Sequence, residues 1–222
     1  MASGPAYLLF DLDETLYPAS CGLMQAVSKR MTCFVAEYLG LPEAKAAELR
    51  RGLSLRHGTT LTGLVREHGL QDTERYLAYT HDVDVERILP RDPRLAPALR
   101  AIPLPKSVLT NSPLEHALRV LEHLEVRGLF ERVFDIRFNG LAGKPDAAVY
   151  RRVLQELGRR SEEVLLIDNR LDYLEAFHAL GGKVLLIAER DASGGAPAGQ
   201  AGEVPRLRNV KELPAFLGFS PR

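Results

Sequence analysis

Short, uninterrupted apolar runs recur along the chain at residues 7–10, 108–109, 133–134, 164–167 and 184–187. Runs of this kind predict strands buried on both faces of a parallel sheet, and most are separated by stretches of helical periodicity. Ser112, Pro113 and Glu115 supply an N-cap serine, an N1 proline and an N3 glutamate, and Leu114, Leu118, Leu121 and Leu124 then build one helical face. Asp146 is placed to cap a second helix carrying Val149, Val153, Leu154 and Leu157 and stopped at Gly158. A third helix, lined by Leu171, Leu174, Phe177 and Leu180, stops at Gly181. Strand and helix alternate, which predicts a doubly wound, mainly parallel α/β sheet.

Residues 18–91 break that alternation. Leu23, Val27, Met31, Phe34, Val35 and Tyr38 return at helical spacing, further helical pieces follow, and no convincing strand intervenes. An all-helical insertion directly after the first strand is expected to lie as a cap over the carboxyl ends of the strands, where open α/β sheets place ligands. The expected division is a core of residues 1–17 and 92–222 with a helical cap domain of 18–91. The Gly/Ala/Pro-rich residues 193–205 predict a loop, and residues 211–217 a short closing helix. The 222 residues amount to about one and a half typical domains, which suits one domain with an appendage.

Composition narrows the classes. Twenty-nine basic and 29 acidic side chains leave a formal charge of zero, so no one-signed field draws the chain to nucleic acid or an anionic membrane. At 45% apolar and 26% charged, the chain is far from the disordered regime. Cys21 and Cys33 are too few for a disulfide framework or a thiolate metal site, and free thiols are expected. The first residues show no secretory leader pattern, and no stretch of ~20 apolar residues occurs, so the expectation is a soluble, cytoplasmic protein.

The chemistry concentrates at the predicted strand ends. The first strand runs into Asp11-Leu12-Asp13-Glu14-Thr15, delivering two carboxylates from an apolar strand. Two nearby anions repel unless a cation joins them, and residues i and i+2 of a strand point the same way, so Mg²⁺, with its preference for oxygen ligands, is the expected occupant. The blander reading is that Asp13 only turns the chain.

This pattern, Asp-x-Asp-x-Thr after a buried strand, resembles the first motif of the haloacid dehalogenase-like superfamily, and three more family motifs follow in order. Val108-Leu109-Thr110-Asn111-Ser112 matches the second, where a hydroxyl and helix N-terminal amides suit a phosphoryl oxygen. Gly143-Lys144-Pro145-Asp146 resembles the third, and Asp168-Asn169-Arg170-Leu171-Asp172 the fourth. The departure is Ile167, where family members usually show Gly or a further Asp. The resemblance implies Asp11 as nucleophile, Asp13 as general acid/base and Lys144 as the neutralising lysine. It implies Thr110, Asn111 and Lys144 at the phosphate, and Asp11, Asp13, Asp168 and Asp172 around Mg²⁺, with Asp172 open to an indirect role. It also implies a central first strand flanked by strands 2 and 4. Because the dehalogenase members lack an acid/base at the position of Asp13, a phosphatase is favoured.

Within the insertion, Arg56-His57-Gly58-Thr59-Thr60-Leu61-Thr62-Gly63-Leu64 and His81-Asp82-Val83-Asp84 look like the pyrimidine 5′-nucleotidase branch. This implies a pyrimidine nucleoside 5′-monophosphate as substrate, with sugar phosphates and other small phosphomonoesters as alternatives, and Tyr17, His57 and Thr59 as substrate contacts. His68, His116, His123 and His178 fall on predicted helices without metal-ligand spacing and receive no role. Two rivals come from other classes. A signalling receiver domain shares Asp, Thr, Lys and Mg²⁺ but needs no lid. A non-catalytic relative draws support only from Ile167.

Overall fold

The computed structural model describes residues 4–189 and 204–219. Strands β1 (Tyr7–Phe10), β2 (Lys106–Leu109), β3 (Val133–Phe134), β4 (Val164–Asp168), β5 (Lys183–Ile187) and β6 (Arg206–Leu207) form one sheet in the order β3-β2-β1-β4-β5-β6. Every neighbouring pair is parallel. The apolar runs make sense in this setting. Leu8, Phe10, Leu165 and Ile167 face one core cluster, while Tyr7, Leu9, Val164 and Leu166 face another, so β1 and β4 are covered on both sides. Ile167 is fully buried beside Phe10 and Leu185, which makes it a core strand residue with its side chain among apolar neighbours.

The C-terminal part of the chain differs from the sequence expectation where it is described. The edge strand β6 is two half-buried residues long, too short and too polar to show as an apolar run. The loop expected over 193–205 lies outside the described residues except for Val204 and Pro205, which lead into β6. The closing helix is split into a 3₁₀ turn, Val210–Glu212, and a four-residue helix, Leu213–Phe216.

The helix after β2, Leu114–His123, starts one position later than expected, with Pro113 at the N-cap and no side-chain cap from Ser112. Asp135 Oδ2 accepts from the Leu114 amide instead, at 3.1 Å. The buried face becomes His116, Ala117, Val120 and Leu121, leaving Leu114 exposed. By contrast, Asp146 does cap the helix Ala147–Leu157, accepting from the Ala148 amide at 2.8 Å, and Gly158 ends it in the left-handed conformation. In the helix Leu171–His178, Leu174 and Phe177 are buried while Leu171 is exposed and Leu180 lies beyond its end.

Between β1 and β2 the chain is helical: α1 (Leu23–Leu39), α2 (Glu43–His57), α3 (Thr60–His68), α4 (Thr73–His81), α5 (Val85–Ile88) and α6 (Leu95–Arg100). In chain order the helices after β2 are α7 (Leu114–His123), α8 (Ala147–Leu157), α9 (Leu171–His178) and α10 (Leu213–Phe216). Helices α1 to α4 bury a cluster of their own, with Phe34, Leu53, Leu61, Leu64, Tyr76 and Leu77 at its centre, and Ile136 joins it from the loop after β3. Val83, Val85 and Leu89 pack instead with the sheet-side cluster that includes Leu12, Val120 and Leu121. Leu23 and Val27 at the start of α1 belong to that sheet-side cluster too, so the packing partner changes within α1 as well as near Asp82. Among the described residues, no helix is long and apolar enough to cross a membrane.

Candidate active site

The strand order brings the ends of β1, β2 and β4 side by side, and with them Asp11, Thr110 and Asp168, although up to 157 positions separate them in the chain. Asp11 follows β1 directly, and its amide donates to the Ile167 carbonyl at 2.8 Å, which extends the pairing with β4 by one residue. Lys144, fully buried, reaches in from the loop before α8. Its Nζ donates to Asp11 Oδ1 at 2.7 Å and to Asp168 Oδ2 at 2.6 Å. Thr15 Oγ1 donates to the other Asp11 oxygen at 3.0 Å, and the Arg170 amide donates to Asp168 Oδ1 at 2.9 Å. The ring of Tyr173 lies 5.0 Å from Lys144 Nζ, a cation–π support that the sequence reading did not include.

Asp13 is held by other groups. The strand stops at Phe10, and a turn closes over Leu12 O through the amides of Thr15 and Leu16, with Glu14 at a φ of 60°. The alternation of a strand no longer applies: the two carboxylates line one cleft, but different groups hold them. Asp13 Oδ1 accepts from Tyr17 Oη at 2.7 Å and lies 3.0 Å from His116 Nε2; Oδ2 accepts from Ser112 Oγ at 2.5 Å and from Thr110 Oγ1 at 3.5 Å.

These two surroundings push the carboxyls apart. Burial, countered by Lys144 and reinforced by Asp168 and Asp13, raises Asp11 to about 7. Burial also works to raise Asp13, but the His116 ring and the hydroxyls of Ser112 and Tyr17 outweigh it and hold the carboxyl well below the usual range. Burial would lower Lys144, yet Asp11 and Asp168 prevail and keep it charged.

The cleft over these strand ends has a volume of about 240 Å³. Asp11, Asp13, Thr110, Lys144 and Tyr173 line one side, and Met31, Arg50, Thr59, Tyr76 and His81 line the helical side. Gly143 permits the close seam between the two, because a side-chain carbon there would run into the Thr59 methyl and the Asn111 side chain. A larger cavity of about 630 Å³ lies beside Glu14, Arg91, Arg94 and Lys211. The smaller one is the better candidate because it joins the strand-end carboxylates, the hydroxyls and the lysine, and the larger does not.

The other expected site residues take different places. Asn111 does not point free into the cleft: its amide nitrogen donates to the Lys144 carbonyl at 3.1 Å and to Tyr173 Oη at 3.2 Å, and its oxygen accepts from the Lys144 amide at 2.8 Å. It anchors the lysine loop. Asp172 turns outward, half exposed, to pair with Arg170 at 2.6 Å, and does not line the cleft. Tyr17 lies behind Asp13 as its donor, not at the cleft surface. His57 lies off the cleft and pairs with Glu67 at 2.5 Å, while Thr59 lines it and caps α3 by accepting from the Thr62 amide at 3.0 Å. Ser112, expected to cap a helix, and His116, assigned no role, both hold Asp13. The signal that could have found them is their spacing of four residues across the first turn of a helix that starts beside the second motif.

The donor chemistry fits Mg²⁺. Asp11 and Asp168 present buried carboxylate oxygens with the Lys144 ammonium between them, so two anions share one cation at the strand ends. Among the described residues no group of three acidic, His or Cys side chains is placed to hold a metal ion. Mg²⁺ needs none, since it keeps several waters and is commonly bound by one or two carboxylates plus substrate phosphate.

A model of the haloacid dehalogenase-like hydrolases matches residues 6–181. Among solved structures, a HAD phosphatase from Thermococcus onnurineus superposes with a TM-score of 0.60 at 18% identity, covering 97% of this chain and 99% of its own. The Bacillus subtilis protein YfnB, bound to magnesium, gives a TM-score of 0.63 at 16% identity over 98% of this chain and 100% of its own. An L-2-haloacid dehalogenase from Xanthobacter autotrophicus gives 0.62 at 15% identity, over 97% and 99%. At these identities the likeness is one of fold, and it spans phosphatase and dehalogenase alike.

Proposed function

The chain belongs to the haloacid dehalogenase-like hydrolases, and from that premise we propose that it is a Mg²⁺-dependent phosphomonoesterase working through an aspartyl phosphate on Asp11. The observation that carries this reading is Asp13: a second carboxylate two residues after Asp11, lining the same cleft and gripped by four donors. A phosphate ester needs a group there to handle protons. Displacement of halide does not require a protonated leaving group.

In the first step a carboxylate oxygen of Asp11 attacks phosphorus, the bond from phosphorus to the leaving oxygen breaks, and Asp13 gives that oxygen a proton. In the second, Asp13 takes a proton from water, the water oxygen attacks phosphorus, and the bond to Asp11 breaks to release phosphate and restore both groups. The donors around Asp13 favour its ionised form, which is the form the second step needs. For the first step, the negative charge of an arriving phosphate works the other way and favours protonation. Lys144 holds Asp11 in place and offsets charge on the transferring group. Mg²⁺ held by Asp11 and Asp168 would supply further positive charge to the phosphoryl oxygens.

We take the helices between β1 and β2 to act as a cap that selects the leaving group. A cleft of about 240 Å³ suits a small phosphomonoester and not a phosphoprotein. On the resemblance of the segments at Arg56 and His81, pyrimidine nucleoside 5′-monophosphates are the first candidates, followed by sugar phosphates. The test is a panel of phosphomonoesters and 2-haloacids with and without Mg²⁺. Phosphate release that requires Mg²⁺, with no halide release, is the expected result. Halide release without phosphate release would overturn it.

A further inference from the structure

We propose that His116, together with Ser112, is the positioning pair that sets the direction of the Asp13 carboxylate. The proposal rests on the reading of Asp13 as general acid/base. His116 is 3% exposed and lies behind Asp13, outside the lining of the cleft, so it does not touch substrate. Its Nε2 is 3.0 Å from Asp13 Oδ1, and Ser112 Oγ, four residues earlier, is 2.5 Å from Oδ2. Ser112, just before α7, and His116, in its first turn, therefore grip both oxygens of one carboxylate, which fixes the plane of the carboxylate.

The other nitrogen of the ring supports this assignment. Among the described residues His116 Nδ1 is buried without a hydrogen-bond partner, and the ring's one hydrogen bond there is to Asp13. An ionised carboxylate has no hydrogen to give, so Nε2 carries one and donates it. A buried ring that served packing alone would be better replaced by an apolar side chain, because leaving one nitrogen unsatisfied costs free energy that the Asp13 contact must offset. The ring is itself held. His81, the last residue of α4, packs edge-on against it with centroids 5.1 Å apart, and His81 Nδ1 is tied to the Leu77 carbonyl at 3.1 Å.

Positioning of an acid/base has a signature that a loss of structure does not. Protonation of the leaving oxygen matters greatly for an alkyl phosphate and little for p-nitrophenyl phosphate, and kcat/KM reports the first step alone. The experiment measures kcat/KM on glycerol phosphate and p-nitrophenyl phosphate for wild type, His116→Leu, His116→Gln, Ser112→Ala and Asp13→Asn, with thermal unfolding in parallel. His116→Leu is expected to lose about 10-fold to 100-fold more on the alkyl ester than on the nitrophenyl ester, the scale of a misplaced catalytic group. His116→Gln, whose amide nitrogen takes the place of Nε2, is expected to recover most of that difference, and Ser112→Ala to show a smaller loss of the same kind. Equal losses on both esters in His116→Leu, or no recovery in a folded His116→Gln, would overturn the proposal while Asp13→Asn still discriminates between the esters. If His116→Leu does not fold, Ser112→Ala and His116→Gln decide: uniform losses in both, beside a discriminating Asp13→Asn, overturn it. If Asp13→Asn fails to discriminate, the reading of Asp13 itself is what fails.

Discussion

The two walls of the cleft are built by different rules. On the sheet side, Asp11, Thr110 and Asp168 each stand at the end of a strand, and the order β2-β1-β4 brings them together whatever the connecting segments do. Their polar atoms satisfy one another: Lys144 spans Asp11 and Asp168, and Thr110 and Ser112 turn to Asp13. On the helical side, the lining comes from separate helices, and two groups stay unsatisfied. Among the described residues, Arg50 Nε and Tyr76 Oη are both buried without a hydrogen-bond partner, even though Arg50 donates from Nη2 to Ser28 Oγ and from Nη1 to Met31 Sδ. A self-satisfied wall suits chemistry common to many substrates, and a wall with unused donors suits recognition of one leaving group.

The largest expected effect lies on the sheet side. Asp11→Asn should abolish turnover with the thermal unfolding transition retained, because an amide cannot serve as the attacking carboxylate. Phosphate release near wild type in that variant would remove the catalytic meaning of this wall. Next in size, Asp168→Ala should raise the Mg²⁺ concentration needed for half-maximal activity far more than Asp172→Ala does. Asp168 is buried against Lys144, while Asp172 is half exposed and paired with Arg170. A Mg²⁺ titration of both variants checks the order, and equal requirements would contradict it.

Smaller effects should come from the helical wall. Arg50→Ala should raise KM by about tenfold or more with kcat changed less, the scale of losing a hydrogen bond from a charged donor. A loss confined to kcat would move Arg50 to the chemistry and blur the contrast between the walls. The smallest change is expected for His57→Ala. His57 lies off the cleft beside Glu67, so kcat/KM across the substrate panel should stay within about twofold of wild type, the small effect usual for a substitution away from the site.

The same contrast explains what could be seen in the sequence. A parallel strand buried on both faces leaves an apolar run, and the polar residue that ends it stands out, so the positions of Asp11, Thr110 and Asp168 were legible, while the central place of β1 followed only from the family resemblance. Lys144 was legible only through its motif, since its loop has no periodicity. Asp13 was found as a residue but without its partners, because strand alternation stops at Phe10 and the turn through Glu14 sends the carboxylate toward α7. His116 was missed because the leucine spacing predicts a face through Leu114 and Leu118, whereas the helix buries His116, Ala117, Val120 and Leu121, and nothing local marks a partner 103 positions away. Arg50 and Tyr76 gave no signal, because which faces of α2 and α4 meet the cleft depends on how four helices pack.

The central claim is that Asp11 carries the phosphoryl group during turnover. The direct measurement is acid quench of the Mg²⁺-loaded Asp13→Asn variant during reaction with p-nitrophenyl phosphate, followed by intact-mass analysis and peptide mapping. This variant should still form the intermediate on an activated ester and should be slow to hydrolyse it. One phosphoryl group per chain is expected, located on Asp11 and absent from the Asp11→Asn, Asp13→Asn double variant. A phosphoryl group on any other residue, or turnover of the ester with Asp11 never modified, would contradict it.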